Sequence, residues 1–265
     1  MVARDFLGRE TLQQWAARLG AGDGFVLSNV QLAHLEEEIK VSGQEATTAK
    51  YLHDRERRRL ESLGSRKRRL EWLGGRIAAK YAASRFVGGL LGNGSWLDFV
   101  VSANGQGKPF LEAAQGRKDA FVPEISISHS GEQAMAMAAK MPCGIDLQQC
   151  TSAVLRVASR FSAAEERSLL ASCPSLATKE EANRLTLLWS AKEAIRKMVA
   201  IQPLIGFMEL ELVNVTGPWE GQEGLLLDFT WARHKGLMGG SGHLKVMALL
   251  DEDFAVAVTI NDLQR

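Results

Sequence analysis

Hydrophobic and polar residues alternate with a period of two through the middle of the chain. In Ile125-Ser-Ile-Ser-His129 the two isoleucines share one face and Ser126 and Ser128 the other, the pattern of a half-buried strand. Gly144-Ile-Asp-Leu-Gln148 does the same, with Ile145 and Leu147 on one face and Asp146 and Gln148 together on the opposite one. Phe25-Val-Leu, Trp96 to Val101 and Ala134 to Lys140 are further predicted strands. Val246 to Leu250 and Phe254 to Ile260 flank the acidic turn Asp251-Glu-Asp253 and predict a hairpin. Helical spacing marks Glu10 to Leu19, Arg184 to Val199, and an arginine-rich stretch from Thr47 to Gly88 with Leu60, Leu63, Leu70 and Leu73 at helical intervals. Gly64 and Gly74-Gly75 are expected to break or bend that stretch, and Gly92-Asn93-Gly94 to end it. Ser162-Ala-Ala-Glu165 predicts a capped helix start. No internal repeat is visible in the sequence.

Composition narrows the function classes. At roughly 100–200 residues per domain, 265 residues make one large domain or two small ones. A formal charge of +1, from 32 Lys+Arg against 31 Asp+Glu, leaves no whole-protein field to recruit nucleic acid or a membrane. No apolar run approaches the ~20 residues that span a bilayer. The opening Met1-Val-Ala-Arg-Asp-Phe6 lacks the apolar core of a signal peptide, and Cys143, Cys150 and Cys173 show no C-x-x-C spacing. A cytoplasmic protein with free thiols is expected. Met135, Met137, Trp72, Trp189 and Trp219 read as core, and Gly239-Gly240-Ser241-Gly242 as a loop without the Lys-Ser/Thr ending of a phosphate-binding P-loop. Residues 54–71 hold eight basic and four acidic residues, a patch suited to phosphates or an acidic partner.

The sharpest chemistry joins two segments. Asp146 and Gln148 point the same way from their strand. On the helix Trp189-Ser-Ala-Lys-Glu-Ala-Ile-Arg-Lys197, Trp189, Glu193 and Lys197 form one stripe, with Lys192 about 100° round from Glu193. Two carboxylates and an amide oxygen suit a hard cation such as Mg²⁺ that shares its oxygen shell with phosphates. An ordinary i,i+4 ion pair and a strand-end turn residue account for the same pattern structurally. A Ser/His nucleophile at His129 is disfavoured, because adjacent strand residues face opposite ways.

Gly107-Lys-Pro109, Ile125-Ser-Ile-Ser-His-Ser130, Gly144-Ile-Asp-Leu-Gln148 and the Trp189–Lys197 helix follow one another in an order that resembles the 4′-phosphopantetheinyl transferase family, in particular its larger two-subdomain members. Those members activate carrier proteins of polyketide, nonribosomal peptide and siderophore synthesis. Arg69-Leu-Glu-Trp-Leu-Gly-Gly-Arg-Ile-Ala-Ala-Lys80 is similar to the family's first-half helix. The resemblance covers about residues 54–200 and little of 1–50 or 205–265. It implies an α+β fold of two pseudo-symmetric halves, 1–140 and 141–265, each an antiparallel sheet with a long packed helix, and a ligand cleft between them in a monomer. The implied reaction moves the phosphopantetheine arm of coenzyme A onto a serine of an apo carrier protein and releases 3′,5′-ADP. The implied roles are Asp146, Gln148 and Glu193 on Mg²⁺, with Glu193 also accepting the serine proton. Lys192 and Lys197 would face the phosphates, Lys108, Ser128 and His129 would bind coenzyme A, and Arg57 and Arg76 would sit at the nucleotide end. Gln148 departs from the family's second acidic position, keeping an oxygen but no charge. That departure motivates the alternative of a non-catalytic module that binds coenzyme A or a carrier protein.

Overall fold

The computed structural model describes residues 2–7, 9–21, 24–91, 96–114, 121–201, 203–218, 224–231, 242–251 and 253–261. Gly92-Asn93-Gly94, Trp219, Glu252 and Gly239 to Ser241 lie outside them. The chain divides into two compact units, Met1–Leu12 with Asp23–Met141, and Gln13–Gly22 with Pro142–Arg265. In chain order the first part holds β1 (Ala3–Asp5), α1 (Arg9–Leu19), β2 (Phe25–Gln31), α2 (Leu32–Ser42), α3 (Gln44–Tyr51), α4 (Asp54–Glu61) and α5 (Arg66–Leu91). β3 (Phe99–Ala103), β4 (Pro109–Ala113), β5 (Glu124–Ser130) and β6 (Gln133–Ala139) follow. α1 falls across the division, since its residues from Gln13 group with the second unit.

In the first unit an antiparallel sheet of order β1-β2-β6-β5 is covered by α5, while β3 and β4 form a separate hairpin. Strand β3 starts at Phe99, because Trp96–Asp98 winds as a 3₁₀ turn instead of the expected strand. Gly74 and Gly75 do not break α5 as expected. A Cβ on Gly74 would stand 2.6 Å from Leu32 Cδ2 and 3.2 Å from Ala134 Cβ, and one on Gly75 would stand 2.9 Å from Ile127 Cγ2. The glycines mark where helix and sheet approach most closely. Burial of Ile77, Ala78, Ala79, Ala82 and Ala83 along the same helix offsets a propensity cost of about 1 kcal/mol per glycine.

The second unit contains β7 (Cys143–Gln149), a 3₁₀ helix at Ser152–Arg160, α6 (Ala164–Ser172), α7 (Pro174–Ala177) and α8 (Glu181–Val199). Four more strands complete it, β8 (Leu210–Thr216), β9 (Leu225–Trp231), β10 (His243–Asp251) and β11 (Phe254–Ile260). Its sheet runs β7-β11-β10-β9-β8, all antiparallel, and α8 packs on β7, β11 and β10. The protein is therefore α+β, and each unit is an antiparallel sheet with a long helix laid on it.

The units also share a local device that sequence comparison within the chain does not reveal. In the first, Glu56 accepts the backbone N–H of His53 at the start of α4 and that of Val101 on β3, and pairs with Lys80 Nζ of α5. Lys80 is 0% exposed and also donates to Tyr51 O at 2.9 Å. In the second, Glu166 accepts the N–H of Ala163 at the start of α6 and that of Leu212 on β8, and pairs with Lys192 Nζ of α8. Lys192 also donates to Phe161 O at 2.8 Å. Each buried lysine thus ties the long helix to a shorter helix start and, through the shared glutamate, to a strand. Hydrogen bonding of both partners is what makes such burial tolerable. The helix α6 start lies one residue beyond the expected position: Ala163 is the cap and Glu166 its acceptor, while Ser162 Oγ donates to Ala158 O at 2.8 Å.

Candidate functional site

Gly144 positions the site. A Cβ there would lie 1.9 Å from Ala194 O and 3.0 Å from Met198 N, so only glycine lets α8 come this close to β7. The pleat then directs Asp146, two residues on, to the same α8-facing side, and Gln148 follows at an exposed position. Lys197 Nζ donates to Asp146 Oδ1 at 2.7 Å and to Ile145 O at 3.0 Å. Glu193 stands one turn earlier on α8, and Arg196 Nη1 donates to its Oε1 at 2.6 Å. Burial raises the Glu193 carboxyl above the ordinary glutamate range. Arg196 opposes that rise and the charge of nearby Asp146 adds to it. The two carboxylates therefore sense each other across the strand–helix contact, as the alternation of β7 and the stripe on α8 require.

An aromatic cluster reaches this pair through Arg196. Trp189 stacks on Phe207 with ring centroids 4.6 Å apart and meets Phe161 edge-on at 5.0 Å. Arg196 lies over Phe207 at 4.3 Å and donates through Nε to Ile205 O. Arg196 was not among the expected residues, although its i,i+3 spacing from Glu193 is a legible signal.

Lys192 corrects an expectation. It does not flank the carboxylates with a phosphate-facing ammonium. Its Nζ is held by Phe161 O, Phe207 O and both oxygens of Glu166, the latter at 2.7 and 3.0 Å. With 0% of its side chain exposed, it is a structural lysine, and burial lowers its pKa. A 100° step round a helix is enough to turn a residue from a site into the core.

The remaining expected residues belong to the first unit. Lys108 sits in the β3–β4 turn, where its N–H donates to Asn104 Oδ1 at 2.9 Å after Gly107 turns the chain at φ +83°. Ser128 and His129 occupy opposite faces of β5. Ser128 is buried, whereas the His129 side chain is 50% exposed with Nδ1 4.0 Å from Glu71 Oε2 of α5. Arg57 is engaged by Asp54 in its own helix. Arg76 stacks on Trp72 with Cζ 3.9 Å from the ring, and burial pushes its pKa down to about 10.

The donor set at Asp146 fits a hard divalent ion that keeps waters and shares substrate oxygens. The Asp146 and Glu193 carboxylates lie within electrostatic reach of each other and Gln148 shares the β7 face of Asp146, so all three offer oxygen donors. Among the described residues no group of three His, Cys, Asp or Glu side chains forms a self-sufficient metal cage.

A family model covers the segment that holds this contact, and several known proteins are similar to the chain. A family model described as the 4′-phosphopantetheinyl transferase superfamily matches residues 142–258. The match runs on through β8–β11, beyond the limit near residue 200 expected from the motifs. Enterobactin synthase component D of Shigella flexneri is 30% identical over 166 residues, which are 60% of this chain and 66% of that protein. This chain thus spans just under two thirds of the length of that relative. Holo-[acyl-carrier-protein] synthase of Halalkalibacterium halodurans is 42% identical over 73 residues, 27% of this chain and 58% of that protein. Among solved structures, a holo-(acyl-carrier-protein) synthase from Bacillus anthracis str. Ames in complex with CoA (3′,5′-ADP) is 28% identical, with a TM-score of 0.35 over 43% of this chain and 92% of that one. Residues 142–258 match the 4′-phosphopantetheinyl transferase superfamily, and they include the contact at which Gly144 brings Asp146 against Lys197 and Glu193.

Proposed function

We propose that the protein transfers the 4′-phosphopantetheine arm of coenzyme A to a serine of an apo carrier protein, with Mg²⁺ at the site, and releases 3′,5′-ADP. The observation that carries this reading is the convergence of Asp146, Glu193 and Lys197 at the β7–α8 contact inside the family-matched segment. The serine Oγ attacks the phosphorus bearing the pantetheine arm. The bond from that phosphorus to the bridging oxygen breaks, and 3′,5′-ADP departs with the electron pair. Asp146, Glu193 and the Gln148 amide oxygen would hold Mg²⁺, which would supply charge neutralisation for the diphosphate. Lys197 orients the phosphate it faces, since positioning and electrostatics dominate such transfers. Glu193 takes the serine proton, directly or through a water, and its raised pKa makes it a stronger base than an exposed carboxylate. In the first unit, Lys108, Ser128, His129, Arg57 and Arg76 are proposed to contact coenzyme A, with His129 toward its 3′-phosphate. Because relatives are named for enterobactin synthase and for acyl carrier protein, carriers of those two kinds are the first partners to test.

Mixing the protein with coenzyme A, Mg²⁺ and a panel of apo carriers should add one phosphopantetheine mass to a carrier serine. Asp146→Ala and Glu193→Ala should each abolish the gain. Full activity in both variants would refute these roles. Metal-indifferent coenzyme A binding with no transfer to any carrier would instead identify a binding module.

A further inference from the structure

Arg196 bridges Glu193 and the chain that follows α8. Its Nη1 donates to Glu193 Oε1 at 2.6 Å and its Nε to Ile205 O at 2.9 Å, while the guanidinium lies over the Phe207 ring at 4.3 Å. An i,i+3 ion pair on an open helix surface samples many rotamers and contributes little. This pair differs, because the groups that hold the guanidinium are themselves fixed. Ile205 is 3% exposed. Phe207 O accepts from Lys192 Nζ at 3.1 Å, and the Phe207 ring packs on Trp189, one turn before Glu193. A planar fork with its face on a ring and one nitrogen on a carbonyl has little freedom left. The carboxylate it grips is restricted in turn: with Oε1 held, Oε2 is the oxygen Glu193 presents.

We infer that Arg196 is a positioning residue for the transfer: it fixes the Glu193 carboxylate to the Ile205–Phe207 segment, and turnover depends on the shape of its guanidinium as well as its charge. This role rests on the transferase reading and deepens it, since Arg196 acts through Glu193 and needs no contact with coenzyme A. Lysine at residue 196 would keep the positive charge yet lack the second nitrogen and the flat face that engage both partners at once. A smaller apolar side chain at residue 207 would loosen the grip without altering any charge. A reacting group misplaced by about 1 Å can lose on the order of 100-fold in rate, while uniform binding of the coenzyme is unaffected. The signature of positioning is therefore a fall in kcat at constant KM.

Transfer to an apo carrier that wild type modifies, with Mg²⁺ saturating and coenzyme A varied, separates kcat from KM. Arg196→Met should lower kcat by about tenfold or more and leave KM for coenzyme A within about threefold. Arg196→Lys and Phe207→Leu should each lower kcat by about threefold or more, again at constant KM. A second measurement needs neither ion nor coenzyme. In a ¹H–¹⁵N spectrum of the full chain, the Arg196 Nε–H is assigned by its absence in Arg196→Lys. It should exchange with water about tenfold or more slowly than the Nε–H groups of exposed Arg58 and Arg68, and Phe207→Leu should remove that protection. A folded Arg196→Met enzyme with a smaller loss, or with a gain, overturns the inference. So does a KM that rises beyond that limit, which would make Arg196 a coenzyme contact. Arg196→Lys at full turnover overturns it too, because charge alone would then suffice. If Arg196→Met does not fold, Arg196→Lys, Phe207→Leu and the Nε–H exchange decide by the same limits. If wild type modifies a carrier but the variants behave otherwise than stated, the inference fails and the transferase reading stands. If wild type modifies no carrier, both fail.

Discussion

Replacing Lys192 by methionine keeps most of the side-chain volume and removes one buried ammonium. Its loss leaves the Glu166 carboxylate, only 3% exposed, with two backbone N–H donors and no counter-charge. Phe161 O and Phe207 O each lose a donor as well. Breaking a buried ion pair from one side costs about 3–5 kcal/mol. A unit of this size holds roughly 5–15 kcal/mol of stability, so it should stay folded while becoming measurably looser. The assay is hydrogen exchange of the α8 amides. At about 1.4 kcal/mol per tenfold, amides that exchange through opening of this unit should speed up by roughly 100- to 4000-fold. Adding Glu166→Gln should recover part of the loss, because the glutamine oxygen still accepts a backbone N–H without stranding a charge. Exchange that stays within threefold of wild type, accompanied by weakened coenzyme A binding, would refute the reasoning and return Lys192 to the phosphates.

Two further outcomes are expected. Gly144→Ala places a Cβ 1.9 Å from Ala194 O, so α8 must withdraw by about 1.5 Å to reach ordinary contact. The 2.7 Å Lys197–Asp146 hydrogen bond should open, and carrier modification should fall by roughly 100-fold or more with circular dichroism little changed. Unaltered turnover would show that the close approach has no bearing on the site. Glu193→Gln tests the pH dependence. The Glu193 pKa is higher in the folded chain than in the unfolded one, chiefly through burial. Its contribution is therefore most favourable below the unfolded-state pKa and is lost as pH rises through the folded one. The glutamine variant should gain stability over wild type as pH rises from the ordinary carboxylate range to neutrality, read from urea midpoints at each pH. A wild type that instead gains on the variant over that range would refute the assignment.

The sequence by itself determined which side of its own element each candidate faces. Strict alternation in β7 put Asp146 beside Gln148, helical spacing in α8 aligned Glu193 with Lys197, and the same two periodicities placed Ser128 opposite His129 on β5. Those patterns are local, set by backbone geometry within a few residues, so the strand, the helix and the order of motifs were readable. What each face meets was decided by the tertiary structure. Lys192 and Glu193 are neighbours in sequence, yet one turns to a buried glutamate 26 residues away and the other stays beside Asp146. Gly74-Gly75 looked like a helix break because propensity counts only the isolated helix; contact with Leu32, Ala134 and Ile127 keeps α5 continuous. The matched pairs Glu56–Lys80 and Glu166–Lys192 were invisible for the same reason. A single glutamate and lysine far apart in the chain carry no periodic signal, and only the packing that removes them from water makes them partners.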